Sequence, residues 1–431
     1  STAWTGRFQG HTPLVVRPAD TAELAQVVML TAEAGFAIVP QGGNTGLVGG
    51  SVPLNGEVVL STTRLNDCQP VDQLAQQVTC GAGVTLAQAQ AHVASASLDI
   101  GVDLAARDSC TIGGMIATNA GGINVLRYGA MREQVLGIEA VLADGSVISH
   151  LEGLEKDNTG YHFPSLFAGS EGTLGIITKA RLRLHPHLTG RCTAMLAFDS
   201  VDDAVAATSA LRRSVTSLHA AEVIFRDAMH LVCEHINSTI PIGANSEAWL
   251  IVEAAAPSDP TEELAAAIDS LGTLVVDVGV GVDSSSRKNL WQYREKVTEA
   301  ISDAGTPHKL DVTLGASKLA DFVTEVPSIV SAIDEGSSVY MFGHLGDGNV
   351  HVNVMGNAGD EPPEAVDAAI LEYAAKLGGS ISAEHGIGTA KKEFLHLNRT
   401  SAEIFAFRSI KHALDPRQIL NPHVLLPSED S

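Results

Sequence analysis

Apolar and polar residues alternate over 343–354, Gly-His-Leu-Gly-Asp-Gly-Asn-Val-His-Val-Asn-Val, and Asp347-Gly348 at the centre is a two-residue hairpin signal. A turn on those two residues pairs Gly346 with Asn349, Leu345 with Val350 and His344 with His351, the two imidazoles sharing a face. The period of two then sets Asn353 beside His351 and turns Val350, Val352 and Val354 to the opposite, buriable face. Near the start the pattern is helical. Asp20-Thr-Ala-Glu23 predicts a capping box for a helix reaching Ala34, with Leu24, Val27, Val28 and Leu30 on its packed side. An apolar strand over 36–39 follows and breaks at Pro40; residues 135–147 predict two strands about an Asp144-Gly145 turn, and His185-Pro186 closes the region. From about residue 187, strands at 194–198, 249–254 and 274–278 alternate with Ala-rich helices at 201–213 and 260–271, and a hairpin over 339–354 ends the series. That order predicts an antiparallel sheet covered on one face by helices. Residues 400–414 predict a closing helix before Asp415-Pro416 and Asn421-Pro422.

A chain of 431 residues, 45% hydrophobic, exceeds one ordinary core and implies two or three domains. Its net charge of −23 disfavours nucleic acid and anionic membrane, which attract positive surfaces. An anionic substrate would therefore need a local basic pocket. No apolar run approaches the roughly 18 residues of a membrane span, and the first residues do not resemble a signal peptide, so a soluble cytoplasmic enzyme is expected. The cysteines at 68, 80, 110, 192 and 233 are odd in number and include no Cys-x-x-Cys pair. They read as reduced thiols rather than as a disulfide framework or an iron–sulfur ligand set.

Three glycine-rich stretches carry the first chemical signal. Gln-Gly-Gly-Asn-Thr-Gly-Leu-Val-Gly-Gly at 41–50 lets backbone N–H groups approach an anion, a phosphate or pyrophosphate being the natural guest. A tight turn without a ligand would read the same. Residues 109–122 place paired glycines at 113, 114, 121 and 122 around a short apolar segment, suited to a helix N-terminus facing an anion. Gly169-Ser-Glu-Gly-Thr-Leu-Gly175 runs into the β-branched 176–178. Together they suggest a long cofactor in an extended pose. None is a Gly-x-Gly-x-x-Gly fingerprint after a strand, which disfavours nicotinamide chemistry on a Rossmann fold.

The second signal is the donor set His344, His351 and Glu384, the last followed by His385 in Ser-Ala-Glu-His-Gly-Ile-Gly at 382–388, after an expected strand over 380–383. Two imidazoles and a carboxylate leave a coordination position open, as catalytic zinc or manganese requires. Histidines exposed to solvent, or satisfied by backbone partners, remain the alternative at this point.

The loop 40–50, the segment 109–122, 169–178, the Gly-His-Leu-Gly-Asp-Gly-Asn hairpin and Ser-Ala-Glu-His-Gly-Ile-Gly jointly resemble the FAD-linked oxidoreductases of the vanillyl-alcohol oxidase and p-cresol methylhydroxylase superfamily. Within it the likeness is greatest to D-2-hydroxyglutarate dehydrogenases and their D-lactate and glycolate relatives, and it runs from Trp4 to Pro422. The resemblance implies an α+β chain. An FAD-binding domain of the methylhydroxylase type would occupy 1–186, a substrate or cap domain with the metal hairpin 187–389, and a helical segment returning to the flavin 390–431. FAD would lie along Pro40, Gly42, Gly43, Asn44, Thr45 and Gly46, with the pyrophosphate at 42–46, and along Leu47, Gly50 and Ser51. Ser109, Ile112, Gly113, Gly114, Asn119, Gly121 and Gly122 would line other parts. So would Glu171, Gly172 and Ile177, with Asn421 near the flavin ring. Arg294, Thr298 and Lys309 match positions that hold a substrate carboxylate, although Arg294 taken alone reads first as an intrahelical or surface ion pair. The departures are Asp108, where glycine is expected, and His162-Phe163-Pro164 after Gly160-Tyr161.

The expected reaction is oxidation of a D-2-hydroxy acid to the 2-oxo acid. His344, His351 and Glu384 would hold a divalent metal, zinc the expected ion, that lowers the hydroxyl pKa; His385 would be the general base; FAD would take the hydride. Asn353, beside His351, would favour the distal carboxylate of 2-hydroxyglutarate over lactate. An electron-transfer flavoprotein, quinone or cytochrome would reoxidise the flavin, and a homodimer is among the expectations. Rival readings are a D-lactate or glycolate dehydrogenase, a metal-dependent hydrolase and a non-catalytic flavin-binding subunit.

Overall fold

The computed structural model describes residues 2, 3 and 6–428, so Trp4 and Thr5, where the resemblance begins, lie outside the described residues. Contacts divide the chain into two compact units. The first gathers the residues up to Asn124, then Tyr128–His187 and those from Glu384 onward; the second is Val125–Arg127 with Leu188–Ala383.

In the first unit β1 (Val15–Val16), β2 (Ile38–Gln41) and β3 (Val58–Ser61) form a parallel sheet in the order β1-β3-β2. A second, antiparallel sheet is built from β4 (Gln77–Gly81), β5 (Leu98–Ile100), β6 (Val135–Val141), β7 (Val147–His150) and β8 (Ile176–Pro186). Its order is β4-β8-β6-β7, with β5 also on β8. The Asp144-Gly145 turn forms as expected: Gly145 has φ +83°, and Asp144 Oδ1 accepts from the Ser146 N–H at 2.9 Å. The first helix is Thr21–Glu33, with Asp20 accepting from the Glu23 N–H. The Glu23 carboxylate reaches back one residue further than a capping box, to the Ala19 N–H at 2.7 Å. Leu24, Val28 and Ala32 are buried at i, i+4 and i+8, whereas Leu30 falls about 200° round the helix from Val28 and is exposed. The closing helix is Ser401–Leu414, boxed by Thr400 and Glu403.

After that helix the chain is fastened inside the first unit. The Ile38 N–H donates to Ile419 O (2.7 Å), and the Asn421 N–H donates to Ile38 O (2.8 Å). The buried Lys411 ammonium donates to Thr173 O (2.8 Å), to Leu420 O (2.6 Å) and to Asp415. Asp415, with no exposed surface, also accepts from the Ile419 and Leu420 N–H groups. Burial pushes the Lys411 amine pKa down, and the hydrogen bond and charge of Asp415 act against that fall.

The second unit carries β9 (Gly190–Phe198), β10 (Leu218–Phe225), β11 (Ala248–Ala256), β12 (Asp277–Gly281), β13 (His308–Thr313), β14 (Ser338–His344) and β15 (Asn349–Met355). They form one antiparallel seven-stranded sheet, β12-β9-β11-β10-β14-β15-β13. One face sets Met195, Ile224, Trp249, Ile251 and Phe342 against the helices Arg226–His235, Ser284–Glu295 and Val297–Ala304. The alternate residues Leu196, Val223, Val252 and Val352 are buried on the second face, where Val201–Ser214, Ala316–Ile333 and Glu364–Lys376 also bring helices. Leu274, expected in a strand, ends a short 3-10 turn (Gly272–Leu274), and 380–383 contributes a single bridge, Ser380 to Thr313, rather than a strand.

The β14–β15 hairpin differs from its expected register. His344 lies opposite Asn349, Gly343 opposite Val350 and Phe342 opposite His351, so 345–348 is a four-residue connection. The Asp347 and Gly348 N–H groups both donate to His344 O, Asp347 Oδ1 accepts from the Asn349 N–H, and the Gly346 N–H is drawn to Ala221 O on β10 at 3.3 Å. These contacts leave no tight turn at Asp347-Gly348. The shift is by two residues, the side-chain period of a strand, so His344 and His351 still share a face, now on a diagonal.

Replacing Asp415 by Ala strands a buried ammonium, which costs about 3–5 kcal/mol when the partner of a buried pair is removed. Thermal unfolding should fall by roughly 10 °C, whereas Lys318→Ala, which breaks the exposed pair with Asp321, should move it little. Equal shifts in the two variants would refute the fastening role.

Candidate functional sites

In the first unit the expected cofactor stretches meet. A Cβ on Gly43 would lie 1.8 Å from Ser109 O, and one on Gly42 would lie 2.3 Å from Thr111 Oγ1. Only glycine lets 42–43 rest on 109–111. Asn44 turns through φ +53°, donates to Thr2 O and accepts from Ser51 Oγ, which pins the loop while Gly46 faces open space. Thr45, Leu47 and Ser51 are half-buried. Thr111 caps the helix Ile112–Thr118 by accepting from the Gly114 N–H; Asn119 ends it at φ +51° and accepts from the Arg132 N–H. Gly113 has a packing role, for its Cβ would meet Ala82 at 2.6 Å, and Ile112 and Ile177 belong to the hydrophobic core. Gly121 is buried, as is Gly122, whose N–H donates to Glu384 Oε2 at 2.8 Å.

Glu171 (φ +51°) joins these stretches. Its N–H donates to Ala117 O, and Gly172 after it turns through φ +73° with a Cβ position 3.0 Å from Pro40. Its buried carboxylate accepts from the Ile387 and Gly388 N–H groups at 2.8 and 2.7 Å, which fastens the 384–388 loop. Burial pushes this carboxyl up to about 7, against the pull of those two N–H groups and Lys391. Asn421 Nδ2 donates to both Gly50 O and Glu171 O at 2.8 Å, holding two of the stretches at a fixed spacing. Asp108 is exposed, which weakens its effect on a bound anion, and His162 caps the helix Phe163–Phe167. A cradle of three converging glycine-rich stretches, with backbone amides brought close by missing side chains, fits a dinucleotide with a pyrophosphate.

In the second unit one carboxylate organises the site. Glu222, on β10 opposite His344, accepts from His344 Nδ1 at 2.6 Å through one oxygen and from Arg294 Nε at 2.9 Å through the other. Burial alone would raise the Glu222 pKa; the charges of His344 and Arg294 and the His344 hydrogen bond outweigh it and hold the carboxyl below its usual range. The Arg294 guanidinium stacks over Phe342 at 4.6 Å. His351 Nδ1 lies 3.3 Å from Asp311 Oδ1, and Asp311 accepts from Asn349 Nδ2 (2.6 Å) and from the Ala383 N–H (3.0 Å). Glu384 is the next residue in the chain.

The two imidazoles meet Nε2 to Nε2 at 3.3 Å. His344 Nδ1 is the donor to Glu222, and His351 Nδ1 lies within ion-pair reach of Asp311, so the two Nε2 atoms are turned toward each other. One proton between the two Nε2 atoms makes that contact a hydrogen bond, and a bound cation would take the proton's place. Nitrogens about 2.05 Å from a tetrahedral ion are themselves about 3.3 Å apart, so the pair fits a zinc-type ion. The other expected contacts are on the same face. Lys309 pairs with Asn353 across β13–β15, and burial pushes its amine down to about 8. Asn353 Nδ2 donates to Tyr340 O, and Lys309 Nζ to Ser302 Oγ. Thr298 follows an interruption at Lys296, so it and Arg294 sit on successive helices.

Sequence reasoning missed Glu222 and Asp311. Each had a signal: a lone carboxylate in the apolar run Leu-His-Ala-Ala-Glu-Val-Ile-Phe, and the alternation Lys309, Asp311, Thr313 on a strand.

Two family models match the chain, FAD linked oxidases, C-terminal domain, over residues 189–425, and FAD binding domain over 12–150. The chain belongs to the FAD-linked oxidases. Within that family it is 36% identical over 430 residues to the mitochondrial D-2-hydroxyglutarate dehydrogenase of Danio rerio, covering 98% of this chain and 80% of the relative. It is 33% identical over 435 residues to a putative mitochondrial D-lactate dehydrogenase of Schizosaccharomyces pombe, covering 97% and 83%. A solved alkyldihydroxyacetonephosphate synthase shares the fold, with a TM-score of 0.73 at 18% identity over 97% of this chain and 77% of that one. Among the described residues no helix is long and apolar enough to cross a membrane. Both relatives are named as mitochondrial, so they lend the expected cytoplasmic location no support.

Glu222→Gln keeps the shape but removes the charge that orients His344. Zinc affinity, read by chelator competition, should fall about 10- to 100-fold, as for other partners of ligating histidines, while flavin content stays at the wild-type level. Unchanged affinity for added zinc would show that Glu222 does not support metal binding by His344.

Proposed function

We propose that this FAD-linked oxidase oxidises a D-2-hydroxy acid, 2-hydroxyglutarate in the first instance, to the 2-oxo acid. The observation that carries the reading is the Glu222 bridge, which ties a guanidinium suited to a carboxylate and an imidazole suited to a metal to one buried group. The D-2-hydroxyglutarate dehydrogenase relative, matched along nearly all of the chain, supports the substrate class.

Arg294, committed to Glu222 through Nε, keeps the two terminal nitrogens of its fork for the C1 carboxylate of the substrate. Lys309 and Thr298 add a cation and a hydroxyl to the same anion. His344, His351 and Glu384 would hold a divalent metal, and zinc suits their nitrogen and oxygen donors. When bound, FAD supplies the hydride acceptor, and such a metal supplies Lewis acidity at the substrate hydroxyl. His385 takes the hydroxyl proton, and Asn353 binds the distal carboxylate that separates hydroxyglutarate from lactate. Turnover requires an electron acceptor, an electron-transfer flavoprotein, a quinone or a cytochrome. The putative D-lactate dehydrogenase relative favours a second reading, in which the smaller acid is the substrate.

The test mixes the holoprotein anaerobically with D-2-hydroxyglutarate, D-lactate and their L-forms. The D-acids should bleach the flavin absorbance, hydroxyglutarate fastest, and chelation should abolish bleaching until zinc is restored. A bound flavin that no 2-hydroxy acid reduces would end the proposal; faster bleaching by D-lactate would select the second reading.

Lys309 gives a pH dependence of defined sign. Its folded pKa is depressed to about 8, so the anion-binding ammonium predominates below that pH and is lost above it. KM for the acid should stay level up to about pH 8 and then rise, approaching tenfold per pH unit. Lys309→Ala should show a high KM with that rise absent; an unaltered profile in the variant would exclude Lys309 as the titrating group.

A further inference from the structure

Cys68 and Cys80 form an isolated antiparallel bridge in the first unit. The bonds around it are Gln69 N–H to Thr79 O at 2.9 Å and Gly81 N–H to Asp67 O at 2.7 Å. That arrangement makes 68/80 a non-hydrogen-bonded pair, the closer of the two antiparallel types, with Cα atoms about 4.5 Å apart and side chains on one face. The separation falls within the range that disulfides span. Cys80 is fully buried on β4, and Cys68 is half-buried on the neighbouring segment.

We propose that Cys68 and Cys80 are a reversible thiol–disulfide site, with Cys68 the thiol that a hydroperoxide oxidises and Cys80 the thiol that resolves it. The exposures assign the roles, since a small oxidant reaches Cys68 first. A hydrogen bond from the Cys80 thiol lowers the Cys68 pKa, against burial and the nearby Asp67, and the same bond together with burial raises that of Cys80. An accessible, acidified thiol beside a resolving partner is the arrangement of redox-sensing cysteines. The other three lack it: Cys110 and Cys233 are buried against Met115 and Met229 and pushed up to about 11, and burial raises Cys192 as well.

In the first step the Cys68 thiolate attacks one peroxide oxygen; the O–O bond breaks, an alcohol or water departs, and Cys68 becomes a sulfenic acid. Cys80 sulfur then attacks Cys68 sulfur, the S–O bond breaks, and water leaves with the thiol proton. Two thiols have given two electrons to one hydroperoxide, and an external dithiol reverses the change. The bond closes a hairpin whose tip carries the exposed Leu74, and it holds that hairpin to the strand leading into Ala82, whose carbonyl accepts from the Gly113 N–H. A surface redox change is thereby tied to the glycine-rich cradle.

The reduced holoprotein, treated with a slight excess of hydrogen peroxide and then denatured for thiol titration, should lose two of its five thiols. Its mass should fall by about 2 Da, peptide mapping should join residues 68 and 80, and dithiothreitol should restore both thiols. With peroxide and dimedone, Cys80→Ser should carry the sulfenic acid adduct at Cys68, and Cys68→Ser should carry none. Five surviving thiols, a bond to Cys110, Cys192 or Cys233, or a bond between two chains would overturn the proposal. If Cys80→Ser fails to fold, the wild-type peptide map decides.

Discussion

A carboxylate sealed from water must be met by charge or by donors, and much of the second unit follows from how Glu222 is met. Its two oxygens are divided between Arg294 on a covering helix and His344 at the end of a neighbouring strand. That division fixes the guanidinium against Phe342 and fixes which imidazole nitrogen of His344 is turned away. Asp311 repeats the device one face position on, taking His351, Asn349 and the Ala383 N–H together. Two buried acids thus place two histidines, and the sheet sets the distance between the acids.

The first unit uses a different economy. Its glycine-rich stretches are held by steric absence, because backbone approaches backbone at Gly43 and Ser109 where a side chain would have stood. What keeps such open loops from spreading is a pair of polar braces, the Asn421 amide across Gly50 and Glu171, and the Glu171 carboxylate across Ile387 and Gly388. Asn421, expected from resemblance beside the flavin, has both amide hydrogens engaged in spacing the cradle.

Periodicity and capping made the helices and most strands legible, because Leu24 and Val28, or Val350 and Val352, announce their faces locally. The hairpin face was legible although its register was not: Asp347-Gly348 resembles a tight turn, and the competing bond from Gly346 to Ala221 comes from a strand more than 100 residues away. Leu30 was placed on the wrong side because an apolar residue at helical spacing need not be buried. Glu222 and Asp311 escaped for the opposite reason. A single acid in an apolar strand names no partner until the fold supplies one, and their partners Arg294 and Ala383 are 72 residues away in each case.

The chain leaves the first unit at His187 and returns to it at Glu384. During vectorial synthesis the second unit therefore has its whole sheet available as soon as Ala383 has emerged. The first, though begun earlier, still lacks Ile419 to pair with Ile38, Lys411 to donate to Thr173 O, and Asn421 to space its loops. The later-made half is the first that can close, and until the last fifty or so residues appear the glycine-rich loops wait without their braces, at the stage where incomplete units depend most on chaperones.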